Sequence, residues 1–96
     1  MTIEKIKSND KPMILVFSAT WCGPCKMFSP VFDEVATQMG EYDFHKIDVD
    51  ECEKLCEELE ISTVPAVIIF KNGAEAKRRV GAFPSAPVFT KWINAE

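Results

Sequence analysis

The segment from Met13 to Phe17 consists of five consecutive apolar residues and is rich in strand formers. A strand without a polar side has to be covered on both faces, which is the pattern of a buried strand in a parallel sheet. Residues 18–24 interrupt this run with Ser, Thr, Gly and Pro, and a pattern with helical spacing follows. The change of period predicts a layered fold of strands and helices.

Four segments favour helices because their apolar residues recur at helical spacing. These positions are Ile3 and Ile6, then Phe28, Val31, Phe32, Val35 and Met39, then Cys52, Leu55, Cys56 and Leu59, and finally Phe89, Trp92 and Ile93. Thr2 is a suitable N-cap for the first helix. We expect the second helix to stop at Gly40 and the third to open at Asp50.

The strands are expected at Met13 to Phe17, Phe44 to Val49, Pro65 to Lys71 and Glu75 to Val80, and Asn72-Gly73 is typical of a tight hairpin between the last two. This order predicts an α/β fold with a four-stranded mixed sheet flanked by helices. Two right-handed crossovers would form a parallel core, and the hairpin would add an antiparallel edge. Residues 1–96 would form a single domain.

Composition excludes several functions. The formal net charge of -4 provides no basic surface for a phosphate backbone, so we expect no nucleic acid partner. No apolar run approaches the length of about 20 residues that a membrane span needs. The N-terminus does not resemble a targeting segment, and a cytoplasmic location is therefore expected. Four cysteines in 96 residues are too few for a disulfide-stapled secreted scaffold.

Cys22 and Cys25 lie at the predicted junction between a strand and a helix. This position is stronger evidence for a redox pair than their spacing of three residues, because four randomly placed cysteines also produce that spacing. At a helix N-terminus, unpaired N–H groups favour a thiolate, which is the nucleophile in disulfide exchange. Gly23 would allow a tight turn, and Pro24 would fix the start of the helix. A buried or metal-binding pair is the alternative, but His45 is the single histidine and zinc prefers four ligands, so we expect no metal.

The segment Phe17-Ser18-Ala19-Thr20-Trp21-Cys22-Gly23-Pro24-Cys25-Lys26-Met27, together with Pro30, Thr63-Val64-Pro65, Asn72-Gly73 and Gly81, closely resembles the thioredoxin family. The match runs from about residue 11 to the C-terminus. The resemblance implies the thioredoxin fold and a protein-disulfide reductase acting as an electron carrier. Cys22 would attack a substrate disulfide, Cys25 would resolve the mixed disulfide, and the resulting Cys22–Cys25 disulfide would be the redox group, without a bound cofactor.

The resemblance also implies partners and a binding surface. Disulfide-containing proteins would be the substrates, and a thioredoxin reductase, a flavoprotein that takes electrons from NADPH, would restore the dithiol. Pro65 matches the family's cis-proline, and the backbone of Val64 would hold an extended substrate. The expected apolar contact surface around the exposed sulfur comprises Trp21, Val64, Pro65, Gly81 and Ala82. A monomer is expected, with Gly23 and Pro24 supporting the active site.

Two departures from the family pattern stand out. Val16 occupies the position at which typical members carry a buried Asp that exchanges a proton with the resolving cysteine. Lys46 corresponds to the lysine that partners this Asp, and we expect it to be semi-buried in a central strand. Asp48, a water chain, or the emerging thiolate with Lys46 could replace the missing carboxylate. Only 21 residues precede Cys22, so the family's usual first strand is expected to be missing.

Two other functions remain open. An oxidase or isomerase would use the same chemistry in reverse, although Gly23-Pro24 and the missing signal segment argue against it. A scaffold subunit would use the groove of the fold without turnover. Cys52 and Cys56, spaced four residues apart on an apolar stripe, are expected to fill the core, with a regulatory disulfide as the minor alternative.

Overall fold

The computed structural model describes residues 1–95. Its elements, in chain order, are α1 (Ile3–Lys7), β1 (Met13–Ser18), α2 (Gly23–Gln38), β2 (Asp43–Asp48), α3 (Glu53–Glu58), β3 (Ala66–Lys71), β4 (Ala74–Val80) and α4 (Ala86–Asn94). All the predicted helices and strands are present, with ends that differ by a few residues. The largest difference is at α3, which begins at Glu53 rather than Asp50 and has Cys52 as its N-cap.

The strands form a four-stranded mixed sheet in the order β2-β1-β3-β4. β1 and β2 are parallel, whereas β3 is antiparallel to both β1 and β4. The predicted α/β class and four-stranded sheet are therefore confirmed. The prediction of two crossovers with a parallel core was wrong, because only the connection through α2 returns a strand parallel to its predecessor.

β3 runs antiparallel to β2, because the chain enters β3 at the end of the sheet at which it left β2. The register places Asp48, the last residue of β2, opposite Ser18, and Ala66, the first residue of β3, opposite Phe17. The helix in this connection, α3, has six residues and rises about 9 Å, so it does not itself run the length of the sheet, which is about 20 Å along β2.

Alternate residues of β1 face two separate hydrophobic layers. Ile14 and Val16 pack against α2 and α4, whereas Met13, Leu15 and Phe17 pack against α1 and α3. Both sets are almost completely inaccessible to solvent. The absence of a polar side in this strand is thus explained by helices on both faces of the sheet.

The hairpin between β3 and β4 has the left-handed backbone that its sequence predicts. Asn72 and Gly73 have φ values of 54° and 77°. A Cβ atom on Gly73 would lie 2.7 Å from the carbonyl oxygen of Lys7. Glycine is therefore required both by the turn and by its close approach to α1.

The outer strands of the sheet carry charged residues that discourage pairing with another chain. β4 is exposed along most of its length, and His45 and Lys46 are exposed on β2. Because β2 is an edge strand, the prediction of a semi-buried Lys46 in a central strand was wrong. Within residues 1–95, none of the helices has the length and apolar character that crossing a bilayer requires.

Candidate redox site

Three strand ends meet at one edge of the sheet. The register pairs Phe17 of β1 with Ala66 of β3, and Ala66 with Val80 of β4. The segments that follow β1, precede β3 and follow β4 are therefore neighbours. This arrangement brings Cys22, Pro65 and Gly81 to the same edge although they are distant in sequence.

Cys22 is the N-cap of α2, as its position in the sequence predicts. Its backbone is extended, with φ of -94° and ψ of 112°, and its Sγ accepts a hydrogen bond of 3.2 Å from the backbone N–H of Cys25. The first turn contains no acidic residue, so no carboxylate competes for the positive end of the helix dipole. Cys22 and Cys25 are disulfide-bonded, with Cα atoms 5.3 Å apart.

Gly23 and Pro24 form the first turn of α2. Pro24 lies where its missing N–H has no partner to lose, as predicted. The expected turn at Gly23 does not require glycine in this structure. Positive φ values among the glycines occur at Gly73 and Gly81 but not at Gly23, and a Cβ atom on Gly23 would meet nothing within 4 Å.

Both cysteines are mostly covered in the disulfide form. Cys22 and Cys25 are each 6% exposed and form a small cluster with Ala19, against which Val49 and Val64 pack. The expectation of an exposed Cys22 sulfur is therefore wrong for this form. A reacting group therefore meets a disulfide of which little surface is accessible.

Val64 and the following Pro65 lie beside Cys22. The peptide bond between them is cis, and the carbonyl oxygen of Val64 lies 3.9 Å from the Sγ of Cys22. Gly81 donates its backbone N–H to the carbonyl oxygen of Pro65 at 2.8 Å. The φ of Gly81 is 106°, a region that side chains rarely tolerate, so glycine is needed where β4 turns away from β3.

Trp21 is 69% exposed beside the disulfide, and its Nε1 donates a hydrogen bond of 3.2 Å to Oδ2 of Asp50. This bond orients an exposed aromatic ring instead of leaving it free to rotate. The sequence did not identify Asp50 as part of this site. Nothing in its spacing distinguishes it from the neighbouring acidic residues, because the contact spans 29 positions.

An apolar groove of about 220 Å³ is lined in part by residues that adjoin the cysteines in α2. Its lining residues are Pro24, Met27, Phe28, Ala82, Phe83 and Pro84. Ala82 was predicted to contact substrate, whereas Met27 and Pro84 were not. Met27 is 79% exposed. The available signal was a Met two residues after Cys25, because flexible thioether side chains suit adaptable binding surfaces.

Lys46 contacts two side chains of α2, neither of which is a cysteine. Its Nζ donates to the hydroxyl of Ser29 at 2.6 Å and forms an ion pair with Asp33 at 2.8 Å. Both partners belong to α2, so the lysine ties the edge strand to the helix that carries the cysteines. The geometry gives Lys46 a structural contact rather than direct contact with Cys25.

Within residues 1–95, no group of three or more His, Cys, Asp and Glu side chains is arranged to hold a metal ion. Cys56 is buried among aliphatic side chains, which confirms its predicted place in the core. Cys52 is half-buried at the start of α3, and both are free thiols. Trp92 packs against Phe83 and Phe89, as predicted for a core residue.

The comparisons with known proteins agree with this geometry. The family model described as Thioredoxin matches residues 3–95. The chain is 43% identical over 79 residues to Thioredoxin-1 of Saccharomyces cerevisiae, covering 82% of this chain and 77% of that protein. It is 39% identical over 82 residues to a thioredoxin of Mycoplasmoides gallisepticum, covering 85% and 82% of the two chains.

Solved structures show the same relationship. Thioredoxin NaTrxh from Nicotiana alata has a TM-score of 0.83 and 36% identity, covering 95% of this chain and 77% of its own. The oxidised thioredoxin from Plasmodium falciparum has a TM-score of 0.82 and 31% identity, covering 95% and 85%. Fold, cysteine pair and relatives together define a thiol–disulfide oxidoreductase. The chain belongs to the thioredoxin family and is a protein-disulfide oxidoreductase of the thioredoxin type.

Proposed function

We propose that this chain reduces disulfides in other proteins and is then reduced by a thioredoxin reductase. The observation that carries the proposal is the Cys22–Cys25 disulfide at the N-terminus of a 16-residue helix, between an apolar groove and the Val64–Pro65 edge. Redox-active disulfides at such a position need no bound cofactor, because the two sulfurs themselves carry the electrons.

In the reduced form, the thiolate of Cys22 attacks one sulfur of a substrate disulfide. A Cys22–substrate disulfide forms, and the other substrate sulfur leaves as a thiolate. Cys25 then attacks Cys22 after losing its proton, which releases the second substrate sulfur. Two electrons pass to the substrate, and the Cys22–Cys25 disulfide closes.

The α2 N-terminus favours the thiolate of Cys22, because its unpaired N–H groups point at the sulfur. The hydrogen bond from Cys25 N–H to Cys22 Sγ is one such contact. This hydrogen bond stabilises the Cys22 thiolate, and it is retained when the Cys22–Cys25 disulfide has formed.

The substrate is expected to bind as an extended segment. The carbonyl of Val64 lies beside Cys22 and can accept a backbone hydrogen bond, in the manner of strand addition. Trp21 and Ala82 would provide apolar contacts on either side, with Pro65 and Gly81 fixing the edge between them. Because Cys22 is 6% exposed, a flexible segment reaches it more readily than a rigid surface.

The electron source and setting complete the proposal. NADPH supplies electrons through a flavoprotein thioredoxin reductase, which reduces the Cys22–Cys25 disulfide by the same exchange in the opposite direction. The chain acts as a monomeric single domain over residues 1–96 in the cytoplasm, a reducing compartment in which dithiols are maintained.

Insulin reduction with a generic dithiol as electron donor tests the proposal. We expect wild type to reduce insulin, and we expect the insulin-reduction rate of Cys22→Ser to be more than about 1,000-fold lower, because the nucleophile is missing. Cys52→Ser is the matched control, since it changes a cysteine at another helix start, and its rate should equal that of wild type. A wild type as inactive as Cys22→Ser would favour a scaffold function.

A second assay addresses the electron source. Wild type, insulin and a thioredoxin reductase are mixed, and oxidation of NADPH is followed. Insulin-dependent oxidation is expected with wild type and not with Cys22→Ser. A different outcome is that insulin is reduced with the generic dithiol while no NADPH is consumed with the thioredoxin reductase. In that outcome the proposed electron donor is wrong, but this chain is still a reductase of protein disulfides.

A further inference from the structure

Cys25 borders a cavity of about 160 Å³ that shares no lining residue with the apolar groove. Its lining residues are Ser18, Ala19, Thr20, Cys25, Lys26, Ser29 and Asp48. These residues come from the end of β1, the linker after it, the first turns of α2 and the end of β2. Most of them carry a polar side chain, which distinguishes this cavity from the groove beside Pro24.

The hydrophobic interior cannot accept the proton that Cys25 must lose before it attacks. Within residues 1–95, no polar or charged side chain is buried. Val16 lies in the apolar cluster that includes Phe28 and Val67. The polar cavity that Cys25 borders is therefore the place to look for a side chain that accepts its proton.

Asp48 is the carboxylate among the residues that line the cavity. It is half-buried at the end of β2, opposite Ser18 in the sheet register. Its Oδ1 accepts a hydrogen bond of 2.9 Å from the backbone N–H of Asp50, which fixes the side chain. A carboxylate can accept a proton, whereas the ammonium group of Lys26 on the same wall can only donate one.

The cavity has room for water between the two groups. Its volume of about 160 Å³ is several times the share of about 30 Å³ that one water molecule occupies in the liquid, and the polar walls offer hydrogen-bond partners to water. Water that is hydrogen-bonded in such a space can pass a proton from a thiol to a carboxylate without direct contact.

We propose that Asp48 accepts the proton of Cys25 through water in this cavity when the mixed disulfide is resolved. The proposal rests on the proposed function and adds a proton path to it. The S–H bond of Cys25 breaks and the proton moves through water to the carboxylate of Asp48. The Cys25 thiolate then forms a bond to Cys22, the bond from Cys22 to the substrate breaks, and the electron pair leaves on the substrate sulfur. Asp48 afterwards releases its proton to solvent.

The test separates the two steps of the reaction. The reduced protein is mixed in a stopped-flow instrument with one equivalent of an aromatic disulfide that releases a coloured thiolate. Attack by Cys22 releases the first thiolate, and attack by Cys25 on the mixed disulfide releases the second. The leaving group needs no proton, so the second phase reports the formation and attack of the Cys25 thiolate.

We expect Asp48→Asn to slow the second phase at least tenfold, because the variant lacks the proton acceptor. The rate of the first phase should stay within about twofold of that of wild type. An Asn side chain still accepts the N–H of Asp50, so the turn is retained. Glu51→Gln is the matched control, because it removes a carboxylate of the same turn outside the cavity, and both of its phases should equal those of wild type.

Asp48→Ala provides a readout that a structural role would not affect. Added formate can enter the enlarged cavity and accept the proton, so we expect it to accelerate the second phase of this variant severalfold. Equal acceleration by chloride at the same ionic strength would overturn the proposal. An Asp48→Asn second phase within twofold of wild type, or equal slowing of both phases, would overturn it as well. If wild type itself shows no second phase, the proposed function fails together with this proton path.

Discussion

Two helices of this molecule begin at a cysteine and carry a second cysteine within one turn. Cys22 is the N-cap of α2 and is followed by Cys25, and Cys52 is the N-cap of α3 and is followed by Cys56. The first pair is a disulfide, whereas the second pair consists of free thiols. A cysteine at the start of a helix is therefore not sufficient to make a redox site.

Geometry accounts for part of the difference. Cys22 Sγ accepts a hydrogen bond from the N–H of the residue three positions on, which is Cys25. Cys52 makes no side-chain capping bond, and the N–H of Cys56, four positions on, donates to the Cys52 carbonyl, as the N–H of Lys26 does to the Cys22 carbonyl. The three-residue spacing places the second cysteine beside the cap sulfur. The four-residue spacing places it one turn lower, facing the core.

Electrostatics and burial account for the rest. The first turn of α2 has no acidic residue, whereas α3 carries Glu53 there. Burial raises the pKa of the Cys56 thiol, and the nearby Cys52 and Glu53 raise this pKa further. A neutral, buried thiol is a poor nucleophile, so Cys56 fills the core while the first pair exchanges electrons.

The largest difference between the pairs should be seen when the second cysteine is removed. Cys25→Ser is expected to retain about one equivalent of a protein substrate bound covalently to Cys22, because nothing resolves the mixed disulfide. Cys56→Ala should retain none and turn over as wild type does. Mass spectrometry of the quenched reactions measures both. A substrate adduct on Cys52 in Cys56→Ala would show that the two helix starts are alike.

Truncation of the core beneath each helix should affect α2 more than α3. Phe28 packs against Phe89 and Phe83 with ring centroids 5.1 Å and 5.7 Å away, and Phe28→Ala should cost about 4 kcal/mol of unfolding free energy. Leu55→Ala on α3 should cost about 3 kcal/mol.

Urea denaturation measures both free energies, and insulin reduction under native conditions adds a functional contrast. Phe28→Ala should also slow the reaction, since Phe28 lines the apolar groove, whereas Leu55→Ala should not. If both variants slow insulin reduction equally, the rate depends on the overall stability of the protein rather than on the packing of Phe28 beneath α2.

Alkylation rates should separate the thiols of the reduced protein. At neutral pH we expect iodoacetamide to modify Cys22 roughly 100-fold faster than Cys56. The raised pKa of Cys56 leaves little thiolate at this pH. Its rate should therefore rise as the pH approaches that raised value, and the gap between the two residues should narrow. Peptide mapping after timed quenching gives each rate, and a gap that stays constant up to high pH would argue against a raised Cys56 pKa.

The smallest effect concerns the acidic residue at the start of α3. Glu53→Gln removes one of the charges that raise the pKa of Cys56, so alkylation of Cys56 at neutral pH should increase about twofold. Glu57→Gln, on the same short helix, is the control and should leave the rate unchanged. If both variants accelerate the reaction equally, a general loosening of α3 is the cause rather than a local charge.

Local features of this molecule were predictable from the sequence. Thr2 caps α1, Cys22 caps α2 and Asn72-Gly73 forms the hairpin turn, as predicted. Each depends on hydrogen bonds or backbone preferences among residues a few positions apart. Continuous apolar runs likewise located β1 and β3, because burial on both faces leaves a direct pattern in the sequence, and the hairpin turn located β4.

Features that depend on how distant segments meet were not predictable. The direction of β3, the exposure of Lys46 and the bond between Trp21 and Asp50 all belong to this group. A run of apolar residues is the same whether its strand is parallel or antiparallel, and a lysine in a strand pattern does not reveal whether that strand is at an edge.

For this chain, the sequence alone determined the helix and strand positions, the cysteine at the start of α2 and the membership of a redox family. The tertiary structure decided which groups surround the two sulfurs. Asp48 reaches the cavity beside Cys25 because β1 and β2 pair in parallel and end together. Pairing of this kind is set by connection length and by packing across the whole sheet, and neither is encoded within any single segment.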